Sequence, residues 1–168
     1  MRLLRGAEVT VKLASQDTKG AVTVIEHLSE PGGFAGPPHL HHAEDEISYV
    51  LEGEVTVQVG GQQLRATAGS IVVKPREVPH TFWNSGKSKA RVLEIVSPAG
   101  IESYFEEIAA VMEAGPPEMG RILEIARKHK LEFPGTKEYF EELAPLMSGP
   151  EPPNPADVIE LARKHGVV

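Results

Sequence analysis

A chain of 168 residues, 40% of them hydrophobic, can bury a sizeable core as one domain or as one domain with an appendage. Its 17 basic and 24 acidic side chains leave a formal charge of −7 and no basic patch of the kind phosphate backbones and anionic membranes require, so neither nucleic acid nor a membrane is an expected partner. With no cysteine, disulfides, thiolate ligands and a cysteine nucleophile are ruled out, and any metal must be held through nitrogen and oxygen.

Aromatic residues are only 5%, so the expected core is aliphatic. Met1–Arg5 (MRLLR) lacks the apolar stretch of a secretory signal, and no run near membrane-spanning length follows. A soluble, cytoplasmic protein is the expectation.

Residues 1–98 read as strands and turns. Glu8–Leu13, Ala21–Leu28, Ile47–Leu51, Glu54–Val59, Ile71–Lys74 and Ala90–Ser97 are short and rich in β-branched residues. In Glu54–Val59, Val55, Val57 and Val59 alternate with Thr56 and Gln58, the period of a half-buried strand. Gly60-Gly61 then supplies a tight hairpin turn. Short strands at close spacing, broken by Gly and Pro, favour an antiparallel sandwich or barrel.

The pattern changes after Pro98. Residues 99–168 read as a helical extension that repeats itself: Tyr104–Met112 returns as Tyr139–Met147, and Ile122–His129 as Val158–His165. Pro116-Pro117 likewise returns as Pro152-Pro153, giving a duplicated helix–Pro-loop–helix unit. Phe105, Ile108 and Met112 step by three and four, a helical stripe with one buried face. Pro145 should kink or interrupt the third helix. His129 and His165 fall at equivalent helix ends, where they suit capping. The pairs Glu106-Glu107 and Glu141-Glu142 read as solvated faces, so the tail is expected to be a packing element without catalytic residues. The acidity is concentrated here: residues 99–168 carry 7 basic and 13 acidic side chains, against 10 and 11 in residues 1–98.

Chemistry concentrates in Gly33–Gly53. His39 and His41, two apart, share a face if the backbone is extended, and Glu46 can turn back to the same point. A third histidine, His80, follows in Val78–Asn84, with Phe82 on its face to line an apolar pocket. Three imidazoles and one carboxylate suit a first-row divalent metal, one of Fe, Mn, Ni, Cu or Zn. His42 points to the opposite face, His27 lies in a strand away from this stretch and reads as structural, and Glu44 and Asp45 read as surface carboxylates.

The spacing resembles the cupin superfamily. Gly33, His39, His41, Glu46 and Gly53 meet its first motif in full. Gly69, Pro75, His80 and Asn84 meet the second, with Glu77 where glycine is usual. A non-glycine residue there must find another turn or bear strain. The resemblance implies a mainly β fold, an antiparallel double-sheet cupin β-barrel of jelly-roll type over residues 1–98, followed by the helical extension 99–168. It implies metal ligation by His39, His41, Glu46 and His80, and the Pro37–Glu54 stretch is similar to single-barrel, quercetinase-like cupins. The expected activity is a metal-dependent dioxygenase on a small oxygenated or aromatic substrate, with Glu46 as general base. A non-enzymatic small-molecule or metal-binding cupin is the alternative, as is an isomerase or decarboxylase on the same site, since fold does not fix function. Exposed sheet edges and the prevalence of two-fold oligomers make a homodimer the expected assembly.

Overall fold

The computed structural model describes residues 2–4, 7–113, 119–147 and 153–168. These form strands β1 (Arg2–Leu4), β2 (Ala7–Leu13), β3 (Thr23–Ser29), β4 (Leu40–His41), β5 (Asp45–Glu52), β6 (Glu54–Val59), β7 (Gln62–Thr67), β8 (Ile71–Lys74), β9 (His80–Asn84), β10 (Ala90–Ser97) and β11 (Leu131–Glu132). Four helices complete them: α1 (Glu102–Glu113), α2 (Met119–Lys128), α3 (Lys137–Met147) and α4 (Pro155–Lys164).

Two antiparallel sheets face each other. One has the order β1-β2-β3-β10-β5-β8 and the other β7-β6-β9. The second is extended through single bridges, Phe34 to Trp83 and His39 to His80, which bring in the chain leading to β4. Alternation builds the space between the sheets. Inward residues Val50, Val55, Val57, Val72, Phe82 and Val92 form one apolar cluster, while most of their strand neighbours are more exposed, Gln58 and Thr81 being buried exceptions. Gly60 and Gly61 make the two-residue link between β6 and β7, with φ 52° at Gly60. Gly53 closes the first motif at φ 78°, where a Cβ would sit 2.6 Å from the Lys89 carbonyl oxygen. Only glycine fits there. Asn84, the last residue of the second motif, ties the following loop: its Nδ2 donates to Ser29 O and Ser88 O, and its Oδ1 accepts from the Gly86 N–H.

The helices pack onto the sheets in two pairs. From α1 and α2, Tyr104, Ile108, Ile125 and Ala126 close over Val9, Ile25 and Val96 at one end of the larger sheet. From α3 and α4, Tyr139, Leu143, Val158 and Leu161 bury Phe34 and pack on Trp83. Between the pairs, β11 hydrogen-bonds to β4, with Leu131 opposite His41 and Glu132 opposite Leu40. The tail thus adds a strand beside one of the candidate ligands.

The two helix pairs repeat in their contacts as well as their sequence. Lys128 and His129 converge on Glu107, and Lys164 and His165 converge on Glu142. Tyr104 lies against His129 and Tyr139 against His165 in the same way. Glu107 and Glu142 are therefore links between helices, where the sequence suggested merely solvated faces. Helix α3 runs uninterrupted through Pro145, two residues before its end, where the ring removes one helical N–H donor. Asn154 caps α4 by accepting from the Ala156 N–H, and Pro155 follows at the first helical position. Pro116, Pro117 and Pro152 of the repeated loops lie outside the described residues. Among the described residues no helix is long and apolar enough to cross a membrane.

Candidate metal centre

His39, His41, Glu46 and His80 come together between the sheets, and one ligand atom from each lies within 4.8 Å of all the others. The histidines come from the smaller sheet and its extension, Glu46 from the larger one. Register explains the meeting. His39 bridges His80 across neighbouring strands, each N–H donating to the other's carbonyl, and His41 follows two residues on with the same facing. Glu46 occupies an inward position of β5 together with Ser48 and Val50.

The backbone fixes the tautomers. His39 Nδ1 donates to Pro37 O at 3.0 Å and His80 Nδ1 to Val78 O at 2.9 Å, since a carbonyl can only accept. Their Nε2 lone pairs are thereby left for the centre. Burial keeps both imidazoles neutral: it pushes the His39 pKa well down, helped by His80 and His41, and it lowers that of His80 against the pull of Glu46. His41 differs. Burial works against its charge, but the carboxylates of Glu44 and Glu46, 3.5 and 3.2 Å away, outweigh it and raise the pKa to about 9. Both His41 ring nitrogens are buried without a hydrogen-bond partner of good geometry. A proton and a metal ion are alternative occupants of that nitrogen, so metal binding there releases a proton.

The donor set fits a metal. Opposite ligands around an ion bonded at about 2.0–2.2 Å lie about 4 Å apart, close to the observed spread. Three imidazoles and a carboxylate suit a borderline first-row divalent ion, and the unpartnered buried Nε2 of His41 is a group that binding would satisfy.

Sequence reading missed the groups behind Glu46. Lys74, 1% exposed, donates from Nζ to Glu46 Oε1 at 2.5 Å and to Glu94 Oε2 at 2.7 Å. Ser48 Oγ donates to Glu94 at 2.9 Å. One Glu46 oxygen is thus held by Lys74, while the other lies 3.2 Å from both His41 Nε2 and His80 Nε2. Burial opposes the Glu46 charge, but Lys74 and His41 hold its carboxyl well below the usual range. Glu94 goes the other way: burial pushes it up to about 8, with Lys74 pulling down and Glu46 pushing up. The signal was present in the strands. Lys74 follows Val72, and Glu94 lies between Val92 and Val96, each a charge on the apolar, inward register.

The neighbours sort differently from expectation in one case. Glu44 is buried beside His41, not a surface carboxylate. Asp45 is exposed and pairs with Arg76. His42 faces away from the centre, its nitrogens each 3.0 Å from Glu77 and Glu132 carboxylate oxygens. Glu77 takes φ 63°, the left-handed conformation of the glycine it replaces, and its N–H donates to His41 O at 2.8 Å. That conformation costs a side chain about 1–2 kcal/mol. His27 is buried edge-on to Phe82, and burial lowers its pKa to about 4.

A cavity of about 270 Å³ opens from this centre. Its polar end carries the four candidate ligands with Lys74 and Glu94, and its walls are mostly aliphatic, aromatic and methionine side chains.

Comparison with known proteins agrees with this arrangement. Residues 26–96 match the family described as the cupin domain. The HTH-type transcriptional regulator PuuR of Escherichia coli is 30% identical over 77 residues, 46% of this chain and 41% of its own length. Quercetin 2,3-dioxygenase of Bacillus subtilis is 23% identical over 121 residues, 72% of this chain and 34% of its own. The chain spans less than half the length of the first curated relatives it matches. Among solved structures, KdgF from Halomonas sp. superposes with a TM-score of 0.52 at 21% identity, over 58% of this chain and 84% of that one, which bears on the fold alone. Motif, sheet order and family match coincide on the same stretch: residues 26–96 are a cupin domain.

Proposed function

We propose that His39, His41, Glu46 and His80 hold one divalent transition metal (Fe, Mn, Ni, Cu or Zn), and that the protein is a dioxygenase acting on a small oxygenated or aromatic substrate. The observation that carries this reading is the convergence of three imidazoles and a carboxylate at the polar end of a buried, largely apolar cavity. When bound, the ion supplies a Lewis acid for a hydroxyl or keto oxygen. The chain's own groups do the rest. His39 and His80 present neutral Nε2 atoms, fixed by their carbonyl partners. Glu46 is anchored through Oε1 by Lys74, so its second oxygen is the one that would ligate the ion or, when partly released from it, take the substrate's proton as general base. The apolar walls exclude water. We further propose that residues 1–98 carry this chemistry and residues 99–168 enclose it. A homodimer is the assembly we propose, with edge strand β8 exposing Ile71 and Val73 (66% and 55%) as surface suited to a second copy.

Metal analysis of the purified chain should give one ion per chain, with most of it lost in His41→Ala and little in His42→Ala. Oxygen uptake with a small oxygenated aromatic or a simple diketone should then depend on that metal. A well-folded His41→Ala protein with undiminished metal would overturn the ligand assignment. A second reading, a non-enzymatic module that binds a small molecule, is favoured by the match to a transcriptional regulator. An isomerase or decarboxylase on the same metal is a third. Ligand binding without turnover singles out the second, and turnover without oxygen uptake the third.

A further inference from the structure

The walls of the cavity come from both halves of the chain. Met112, Met119 and Ile122 reach it from the first helix pair, and Phe140, Ala144 and Met147 from the second. The repeated helix pairs thus pack on the sheets and also close over the space that leads to the candidate metal centre. Among the described lining residues the one lysine or arginine is Lys74, already held by two carboxylates. A carboxylate or phosphate on the ligand would find a counter-charge only at the candidate metal centre and none along the walls, and a polyol would leave its hydroxyls facing aliphatic walls. Methionines at three places suit an apolar guest of variable shape, because their unbranched, polarizable side chains re-pack easily.

We infer that the two tail repeats form the specificity wall of the site, and that its ligand is a compact, mainly apolar molecule with a single oxygen-bearing end directed at the His39–His41–Glu46–His80 cluster. The inference rests on the reading of the same site given above and narrows its substrate. Size limits the guest further. A cavity near 150 Å³ takes benzene, so 270 Å³ corresponds to about ten to twelve non-hydrogen atoms. That is a two-ring or branched aliphatic skeleton, about half the size of a flavonol.

The test uses the full chain with carbon-13 methyl-labelled methionine, titrated with 2-naphthol, a phenol of the right size, and separately with oxalate as a polar comparator. The Met112, Met119 and Met147 methyl resonances should shift together and saturably with 2-naphthol and stay in place with oxalate. Ala144→Phe, which fills the wall from α3, should weaken 2-naphthol binding about tenfold or more. Because the unsubstituted chain already gives an answer, a misfolded Ala144→Phe protein does not remove the test. Metal content of the same sample separates the two readings. Bound metal with unmoved methyls overturns this inference, as does a shift caused by oxalate and not by 2-naphthol. Saturable methyl shifts in protein that takes up no metal sustain it and overturn the metal assignment instead.

Discussion

At the scale of single residues, Lys74 matters most among those without a place in the motifs. An ammonium at 1% exposure is tolerable only because Glu46 and Glu94 both accept from it. Removing one partner of such a buried group typically costs 3–5 kcal/mol, because the charge left behind has no water to turn to. Lys74→Met should therefore destabilise the protein by about that amount in urea denaturation, mainly through the charge stranded on Glu46. Equal stabilities for wild type and Lys74→Met would mean that Glu46 and Glu94 find other partners. The candidate ligands were legible because the motif is compact: His39, His41 and Glu46 lie within eight residues, the two histidines share a face by their spacing, and Glu46 meets them from the facing sheet after the chain turns back. Lys74 and Glu94 were not, since their meeting depends on β5 lying between β10 and β8, an order set by tertiary pairing. Glu77 is an intermediate case. Its mismatch to glycine was visible, and its positive φ shows that the turn kept its shape and the residue took the strain.

At the scale of elements, legibility followed how far each strand carries its own burial pattern. Glu54–Val59, Ile71–Lys74 and Ala90–Ser97 appear with the bounds read from sequence. Gln62–Thr67 was missed because it is largely exposed and polar, and it is held by the Gly60-Gly61 turn and by pairing with β6. Leu40–His41 and Leu131–Glu132 are too short for periodicity to register, since each exists through the other. The start of α1 has a specific fastening. Glu102 accepts from the Thr23 hydroxyl at 2.5 Å and the Ser15 N–H at 2.7 Å, joining helix, strand and turn. Burial raises the Glu102 pKa, but these donors outweigh it and the net shift is downward. A carboxyl with a lowered folded pKa adds stability above its unfolded value and loses it as pH falls through the folded one. Glu102→Gln should cost about 1 kcal/mol at neutral pH, and the gap in melting temperature from wild type should close as pH drops below the ordinary carboxylate range. A gap constant with pH would assign the cost to packing and not to the charge.

For the whole molecule, the question is what the second helix pair does for the barrel. Helices α3 and α4 bury Phe34 and pack against Trp83, which lies on the strand that carries His80 and bridges Phe34. They also supply Phe140, Ala144 and Met147 to the cavity. They do not supply β11, whose Leu131 pairs with His41 and whose neighbour Lys130 accepts from the His42 N–H at 2.9 Å. That division separates two truncations. A chain ending at Thr136 keeps the strand behind His41 but exposes Phe34, and each large side chain returned to water costs about 1.5–3 kcal/mol. Its melting temperature should fall by several degrees or more while metal stoichiometry stays at one, and 2-naphthol binding should weaken because one wall of the cavity is gone. A chain ending at His129 loses β11 as well, so the backbone around His41 and His42 has no strand beside it. Metal affinity should then fall about 10–100-fold, the usual effect of removing a support behind a ligand. The pair of truncations is decisive when compared at matched temperature, with folding checked by circular dichroism and metal measured by chelator competition. If the Thr136 truncation remains folded yet loses its metal, the second repeat supports the ligands directly and the division between enclosure and ligation fails. If both truncations keep full affinity, β11 is dispensable and the sheets alone hold the centre.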